Sequence, residues 1–241
     1  MIPGGVKLLR KIALLLAILT GPAFWAAASE AAHPKAAEPK APASETSAAP
    51  VKEPPSFAKG SKAYQAKRTD EAIAAFEQAI KEEPGFAPSY QFLARLNFDR
   101  KRYADAIKLG KQAVKLDPKV GRAWRTLGLA QMATNDFKAA AESFAKAAEL
   151  EPRNFWTLND LGYALFLLDR NDEARKALER AVEADPKQAM TWNTLGVVRL
   201  RTGDRAGAVE AFKKALQLDP SHVKAKANLA ATQEQSRPKA P

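Results

Sequence analysis

Apolar residues recur every three or four positions between residues 53 and 222, which is the spacing of a helix with one buried face. Prolines divide this region, and each lies 34 residues after the one before: Pro84, Pro118, Pro152, Pro186 and Pro220. Proline is unfavourable inside a helix but fits its first turn. The pattern therefore predicts an all-α chain in which each proline separates one helix from the next.

Superposing the sequence at this period gives five units, 53–86, 87–120, 121–154, 155–188 and 189–222. Large residues dominate positions four and seven of the unit, and small residues occupy position eight: Gly60, Ala94, Gly128, Gly162 and Gly196. Positions 20 and 27 are alanine in every unit. Position 24 is Phe76, Gly110, Phe144, Leu178 and Phe212. The small residues at positions 8, 20 and 27 predict two helices per unit that approach each other closely.

This order of residues resembles the tetratricopeptide repeat family, whose 34-residue unit combines tryptophan, leucine, glycine, alanine, aromatic and proline positions. The resemblance covers about two thirds of the chain. It implies an all-α solenoid, a right-handed superhelix of antiparallel helix pairs. It also implies a concave groove lined by positions two, five, nine and thirteen of the first helices.

These columns supply the candidate partner-binding residues. The basic candidates are Arg95, Arg122, Arg125 and Arg201, and the apolar or aromatic candidates are Leu129, Trp156, Tyr163, Met190 and Val197. Asn159 and Asn193 stand one repeat apart and offer both donors and acceptors. A solvent-facing helix side has no structural need for so many apolar residues, and large exposed apolar patches mark binding sites. The alternative is that these residues pack on neighbouring helices.

The first 28 residues resemble a secretory signal. Lys7, Arg10 and Lys11 precede a short apolar run, and the small residues at 26–28 predict cleavage after Ala28. An uncleaved membrane anchor is the alternative, although the run is shorter than the roughly 20 residues of a spanning helix. Residues 29–55 are rich in alanine, proline and lysine, which predicts a disordered linker.

The remaining boundaries follow from the polar residues. Residues 223–235 predict a capping helix that closes the last repeat, and 236–241 a short tail. Thr69, Asp136, Asn171 and Asp204 stand where second helices begin and are predicted to cap them. Repeat two has Lys101 and Arg102 at that place, which makes a poor cap.

Composition argues against catalysis. The chain has no cysteine and two histidines, so metal sites built on these residues are not expected, and no phosphate-binding glycine loop is present. We expect no enzyme activity and no cofactor.

The net charge is +11, and it is +8 without the predicted signal. Much of this positive charge lies in repeat two, so an alternative function is a membrane-anchored protein that binds nucleic acid or another anionic polymer.

The favoured interpretation is an exported, non-catalytic adaptor, periplasmic or secreted, that binds a protein segment with acidic and apolar residues. Nucleic acid is not the expected partner.

Overall fold

The computed structural model describes residues 51–234, and the predicted signal, residues 29–50 of the predicted linker and the tail lie outside this range. The described part contains eleven α-helices and no strand. The first helices of the repeats are α1 (Pro55–Gln65), α3 (Ala87–Asp99), α5 (Gly121–Ala133), α7 (Phe155–Leu167) and α9 (Ala189–Arg201). The second helices are α2 (Thr69–Glu82), α4 (Tyr103–Leu116), α6 (Phe137–Leu150), α8 (Asn171–Ala184) and α10 (Arg205–Leu218). Helix α11 (Val223–Glu234) follows the fifth pair.

The acidic residue before each periodic proline forms the turn between repeats. Asp117, Asp185 and Asp219 each end a second helix, and each carboxylate accepts the backbone N–H two residues further on, at 2.9–3.0 Å. Such a bond makes a compact turn, and the proline that follows prevents the helix from continuing. The pair of acid and proline is therefore a helix stop.

The turn inside each pair depends on one residue with positive φ at position 15. Lys67, Lys101, Asn135 and Asp169 have φ between 59° and 62°, and Gly203 has φ 86°. The left-handed conformation costs a residue with a Cβ about 1 kcal/mol or more, which the packing of the two flanking helices has to offset. A short reversal at this point makes each pair antiparallel.

Close packing within a pair depends on the glycine at position eight. A Cβ at Gly60 or Gly128 would lie 2.7 Å from the ring of Phe76 or Phe144, and one at Gly196 would lie 2.5 Å from Phe212. Real Cβ atoms do not approach other atoms so closely, so a larger residue at these positions would force the phenylalanine ring to move. The three phenylalanines are fully buried as a result.

Repeat two departs from this plan. It has Ala94 at position eight and Gly110 at position 24, so the glycine and the large residue are not paired as in the other repeats. The space at Gly110 is filled instead by Leu127 of the following repeat, whose Cβ lies 3.3 Å from the point that a Cβ at Gly110 would occupy. Repeat two therefore uses its neighbour to complete its core.

The predicted caps are half right. Asp136 and Asp204 cap α6 and α10, accepting the N–H groups of Ala139 and Gly207 at 3.2 and 2.9 Å. The predictions for Thr69 and Asn171 are wrong. These residues are the first of α2 and α8, one place too late for their side chains to cap the helix, and the residues before them are arginines without a capping bond.

Helix α11 packs on α9 and α10 and buries Ala225, Asn228 and Thr232. Its first residue, Val223, remains 79% exposed. No helix within residues 51–234 combines the length and the apolar character that crossing a bilayer requires.

Candidate partner-binding surface

Helices α3, α5, α7, α9 and α11 contact one another in sequence and form a continuous layer. We call the side of this layer that carries positions two, five, nine and thirteen the first-helix surface. All eleven candidate residues belong to it: Arg95, Arg122, Arg125, Leu129, Trp156, Asn159, Tyr163, Met190, Asn193, Val197 and Arg201. The structure divides them into a buried and an accessible group.

The prediction that the whole set faces solvent is wrong for five residues. Leu129, Asn159, Tyr163, Asn193 and Val197 are between 0% and 6% exposed. At position five the reason is packing against the next first helix, as for Asn193 on Asn228. At position nine, Val197 lies in a core cluster against which Phe166 and Leu229 pack. These five support repeat packing in the unbound chain, and partner contact through them stays a prediction.

Arg125 also has an internal role. Its Nε and Nη2 atoms lie 3.0 Å from Oδ2 of Asp160, on the first helix of the next repeat. The Asp160 side chain is 1% exposed and the Arg125 side chain 13%. Burial raises the pKa of Asp160 to about 6, against the opposing effect of the Arg125 guanidinium and of a hydrogen bond from Asn159. This ion pair fixes α5 against α7 and is not available to a partner without disrupting the repeats.

Asn193 is engaged in the same way. Its Oδ1 accepts a hydrogen bond of 3.0 Å from Nδ2 of Asn228 on α11, and both side chains are 6% exposed. The prediction that Asn193 offers both donor and acceptor to a peptide does not fit this arrangement, because the acceptor is already used. Asn159 differs, since its buried Oδ1 has no partner among the described residues.

The contacts between consecutive repeats share one spacing, which is not visible when each position of the repeat is compared only with the same position in the other repeats. Arg125–Asp160 and Asn193–Asn228 are each 35 residues apart, linking position five of one repeat to position six of the next. Phe57 and Phe92 have the same separation, and their rings pack edge to face at 5.7 Å. Comparing column five with column six of the following repeat shows this matching chemistry, whereas comparing each column only with itself does not.

The accessible group is centred on position two. Arg122, Trp156 and Met190 are partly exposed and occupy this position in three consecutive repeats. Trp156 packs on Phe155 with ring centroids 4.3 Å apart. The other two tryptophans of the repeats, at position four, are structural, since the indole N–H groups of Trp124 and Trp192 donate to proline carbonyls at 2.9 and 2.8 Å.

Two further arginines of the set are accessible but paired. Arg95 contacts Asp99 at 3.0 Å, with side chains 29% and 38% exposed. Arg201 contacts Asp169 at 2.9 Å, with side chains 42% and 74% exposed, and its guanidinium lies 5.4 Å from the ring centroid of Phe166. Solvent-exposed pairs of this kind contribute about 0–1 kcal/mol. A partner's carboxylate could therefore share or replace Asp99 or Asp169 at little cost.

Within residues 51–234, no cluster of three or more histidine, aspartate or glutamate side chains is arranged to hold a metal ion. The first-helix surface thus consists of partly exposed apolar, aromatic and guanidinium groups over a packed layer. Such groups suit contact with another polypeptide.

Helix pairs stacked in this way define an α-solenoid built from repeats. Profiles described as "Tetratricopeptide repeat" match residues 63–130 in one case and 111–157, 125–189, 159–223 and 193–237 in another. The chain belongs to the tetratricopeptide repeat family. A search of curated proteins finds no match to it.

Solved structures agree with this assignment. YrrB, described as a tetratricopeptide repeat protein with an unusual peptide-binding site, superposes with a TM-score of 0.67 at 20% identity, covering 73% of this chain and 91% of YrrB. MamA gives 0.63 at 26% identity, with coverage of 68% and 96%. TTC0263, a thermophilic repeat protein of Thermus thermophilus, gives 0.54 at 22% identity, with coverage of 74% and 97%. The fold indicates a scaffold for protein–protein interaction, and proteins of this family are generally non-catalytic.

Proposed function

We propose that the protein is a non-catalytic adaptor of the cell envelope that binds an extended or helical segment of a partner on the first-helix surface. The observation that carries the proposal is the row formed by Arg122, Trp156 and Met190. These side chains are large and partly exposed, and they stand at the same position of three neighbouring first helices. Trp and Arg are the residues most often found to dominate binding energy at interfaces.

The charges on this surface favour a partner segment with carboxylates. Arg95 and Arg201 are accessible, and their internal pairs are exposed enough to be exchanged, whereas the buried Arg125–Asp160 pair is excluded from this role. Apolar residues of the segment would contact Trp156 and Met190. The proposed partner therefore combines acidic and apolar side chains.

A peptide as ligand is supported by analogy with one similar structure. YrrB is described as having a peptide-binding site, and its fold superposes on most of this chain. At 20% identity this likeness does not transfer the site itself. It supports only the general mode, a polypeptide held by stacked helix pairs.

The envelope location is proposed from the first 28 residues of the sequence. A basic start, a short apolar run and a small-residue end favour export with cleavage after Ala28. N-terminal sequencing of the protein purified from envelope fractions tests this part. A mature chain that begins at Ser29 supports export, and an intact Met1 contradicts cleavage.

Site-specific photo-crosslinking in the native envelope tests the binding surface. A photoreactive amino acid in place of Met190 should capture one partner, and the same residue at the exposed Gln217 of α10 should not. The captured segment is then identified by mass spectrometry. Capture of the same protein with equal yield from both positions would contradict binding on the first-helix surface.

A further inference from the structure

The second helices also carry a surface that distinguishes one repeat from the others. Lys108, Lys111 and Lys115 of α4 are all exposed. At about 100° per residue they lie within roughly 60° of one another around the helix. We call these three residues the lysine face. It lies on a second helix and contains none of the first-helix candidates.

The repeat plan does not require these lysines. The same three columns, positions 22, 25 and 29, have no uniform charge in any other repeat. They read Ala74, Glu77 and Lys81 in repeat one, Glu142, Ala145 and Glu149 in repeat three, Lys176, Glu179 and Glu183 in repeat four, and Glu210, Lys213 and Gln217 in repeat five. The lysine face is therefore a property of repeat two and not of the fold.

The face is also left without counter-charges. Residues 100–119 contain seven lysines and arginines against two aspartates. Two cations on other second helices are paired: Lys146 contacts Glu149 at 2.8 Å, and Arg175 contacts Asp172 at 3.7 Å. Within residues 51–234, the ammonium groups of Lys108, Lys111 and Lys115 form no ion pair. Like charges held close together this way favour an external anion.

We propose that the lysine face of α4 rests on an anionic lipid surface. Lysine is a strongly hydrated point charge, which suits mobile headgroups, whereas specific recognition of phosphate or carboxylate favours the planar fork of arginine. The face consists of lysines alone, so it offers no aromatic platform on which bases would stack. Three lysines near anionic headgroups raise surface affinity by about 100-fold.

The arrangement would leave the first-helix surface free for its partner while the second helix of repeat two holds the protein at a membrane. This inference does not depend on the peptide-binding proposal. The two use different helices, so either one can fail alone.

Fluorescence quenching on vesicles tests the contact with the full chain, which has no cysteine of its own. A fluorophore is attached at Gln112→Cys, beside the lysine face, or at Lys214→Cys, at the same position of repeat five. Vesicles contain phosphatidylcholine with or without phosphatidylglycerol, and a nitroxide-labelled headgroup lipid as quencher. We expect quenching at position 112 only, only with phosphatidylglycerol, and loss of quenching at high salt.

The decisive variant combines Lys108→Glu, Lys111→Ala and Lys115→Glu, which are the residues of repeat three in these columns. Since the fold already accepts them there, its unfolding temperature should match the wild type, and quenching at position 112 should be lost. The control combines Lys138→Glu, Lys176→Ala and Lys213→Glu on other second helices, all exposed, with the same change of net charge. It should retain quenching.

Equal quenching at positions 112 and 214, or quenching that survives in the decisive variant, would overturn the proposal. A double-stranded DNA fragment provides the remaining arm. If the fragment binds through the lysine face while phosphatidylglycerol vesicles produce no quenching, the face is a nucleic-acid site and the lipid assignment is wrong.

Discussion

Contacts inside a repeat and contacts between consecutive repeats follow different rules in this protein. Inside repeats one, three and five, the same pair recurs, a glycine at position eight under a buried phenylalanine at position 24. Between repeats, a contact from position five to position six is seen at three junctions, and its chemistry differs at each. It is aromatic for Phe57–Phe92, ionic for Arg125–Asp160 and amide for Asn193–Asn228.

This difference separates what makes a repeat from what orders the repeats. The recurring glycine and phenylalanine pair closes the helix hairpin in three of the five repeats. Contacts of unlike chemistry match one unit to one neighbour, because an aspartate that faces phenylalanine or asparagine instead of Arg125 would be buried without a counter-charge. Specific pairing between neighbours suits a solenoid, in which each unit touches only the units beside it.

The largest expected effect breaks the ionic contact between repeats three and four. Arg125→Met leaves the Asp160 carboxylate, which is 1% exposed, without its counter-charge. We expect a loss of about 4 kcal/mol in the free energy of unfolding at neutral pH, measured by urea denaturation. Arg201→Met is the matched control, since its pair with Asp169 is exposed, and it should cost less than about 1 kcal/mol. Equal effects would show that the buried pair has no special role.

The second prediction concerns pH. The pKa of Asp160 is about 6 in the folded chain against an ordinary value of 3.8. The folded state favours the protonated form of Asp160. The stability that this protonation contributes is therefore complete at a pH below the ordinary pKa and is lost as the pH rises through about 6. Relative to Asp160→Asn, the wild type should therefore lose roughly 3 kcal/mol between acidic and neutral pH. A constant difference between the two proteins across this range would contradict the assignment.

The third prediction tests the contact inside a repeat. Gly196→Ala places a Cβ 2.5 Å from the Phe212 ring, which has to move within a packed core. We expect a loss of about 2 kcal/mol, measured by thermal unfolding. Gly110→Ala, in the repeat that lacks the pair, meets Leu127 only at 3.3 Å and should change stability much less. If the two variants are equally stable, the glycine and phenylalanine pair is not what holds the hairpin.

The smallest effect concerns the helix caps. Arg102 precedes α4 with φ −84° and ψ 65°, close to the capping Asp136 with φ −82° and ψ 69°. Arg102→Asp should therefore add a cap and stabilise the chain by about 1 kcal/mol, whereas Asp204→Ala should remove one and cost a similar amount. Thermal unfolding of both variants, compared with the wild type, measures the two changes. A destabilised Arg102→Asp would mean that the backbone there cannot use the aspartate.

The helix pairs could be predicted from the sequence because the 34-residue period and the positions of proline and glycine are local signals. Pro118 and Gly128, for example, each restrict the backbone or the space at one place, and this restriction is visible without a structure. The cap predictions show the limit, since Thr69 lies one residue beyond the position where its hydroxyl could accept an N–H. A shift of one residue is smaller than the accuracy with which a pattern locates a helix end.

The candidate surface was harder to predict because burial depends on the neighbouring repeat. Tyr163 and Trp156 look alike as aromatic residues on one helix side, yet Tyr163 is 6% exposed and Trp156 is partly open. Asp160 was missed altogether, since its partner Arg125 is 35 residues away and in a different column. The packing of α5 on α7 brings the two together, and in the sequence the pair is visible only when position five is compared with position six of the next repeat.

Binding on the first-helix surface is tested most directly by the affinity of the purified protein for a synthetic peptide of the segment that crosslinks at Met190. Isothermal titration should give at least about 30-fold weaker binding for Trp156→Ala, as expected for an aromatic residue at the centre of an interface. The exposed Lys213→Ala on α10 should bind as the wild type does. Unchanged affinity in Trp156→Ala would contradict the account.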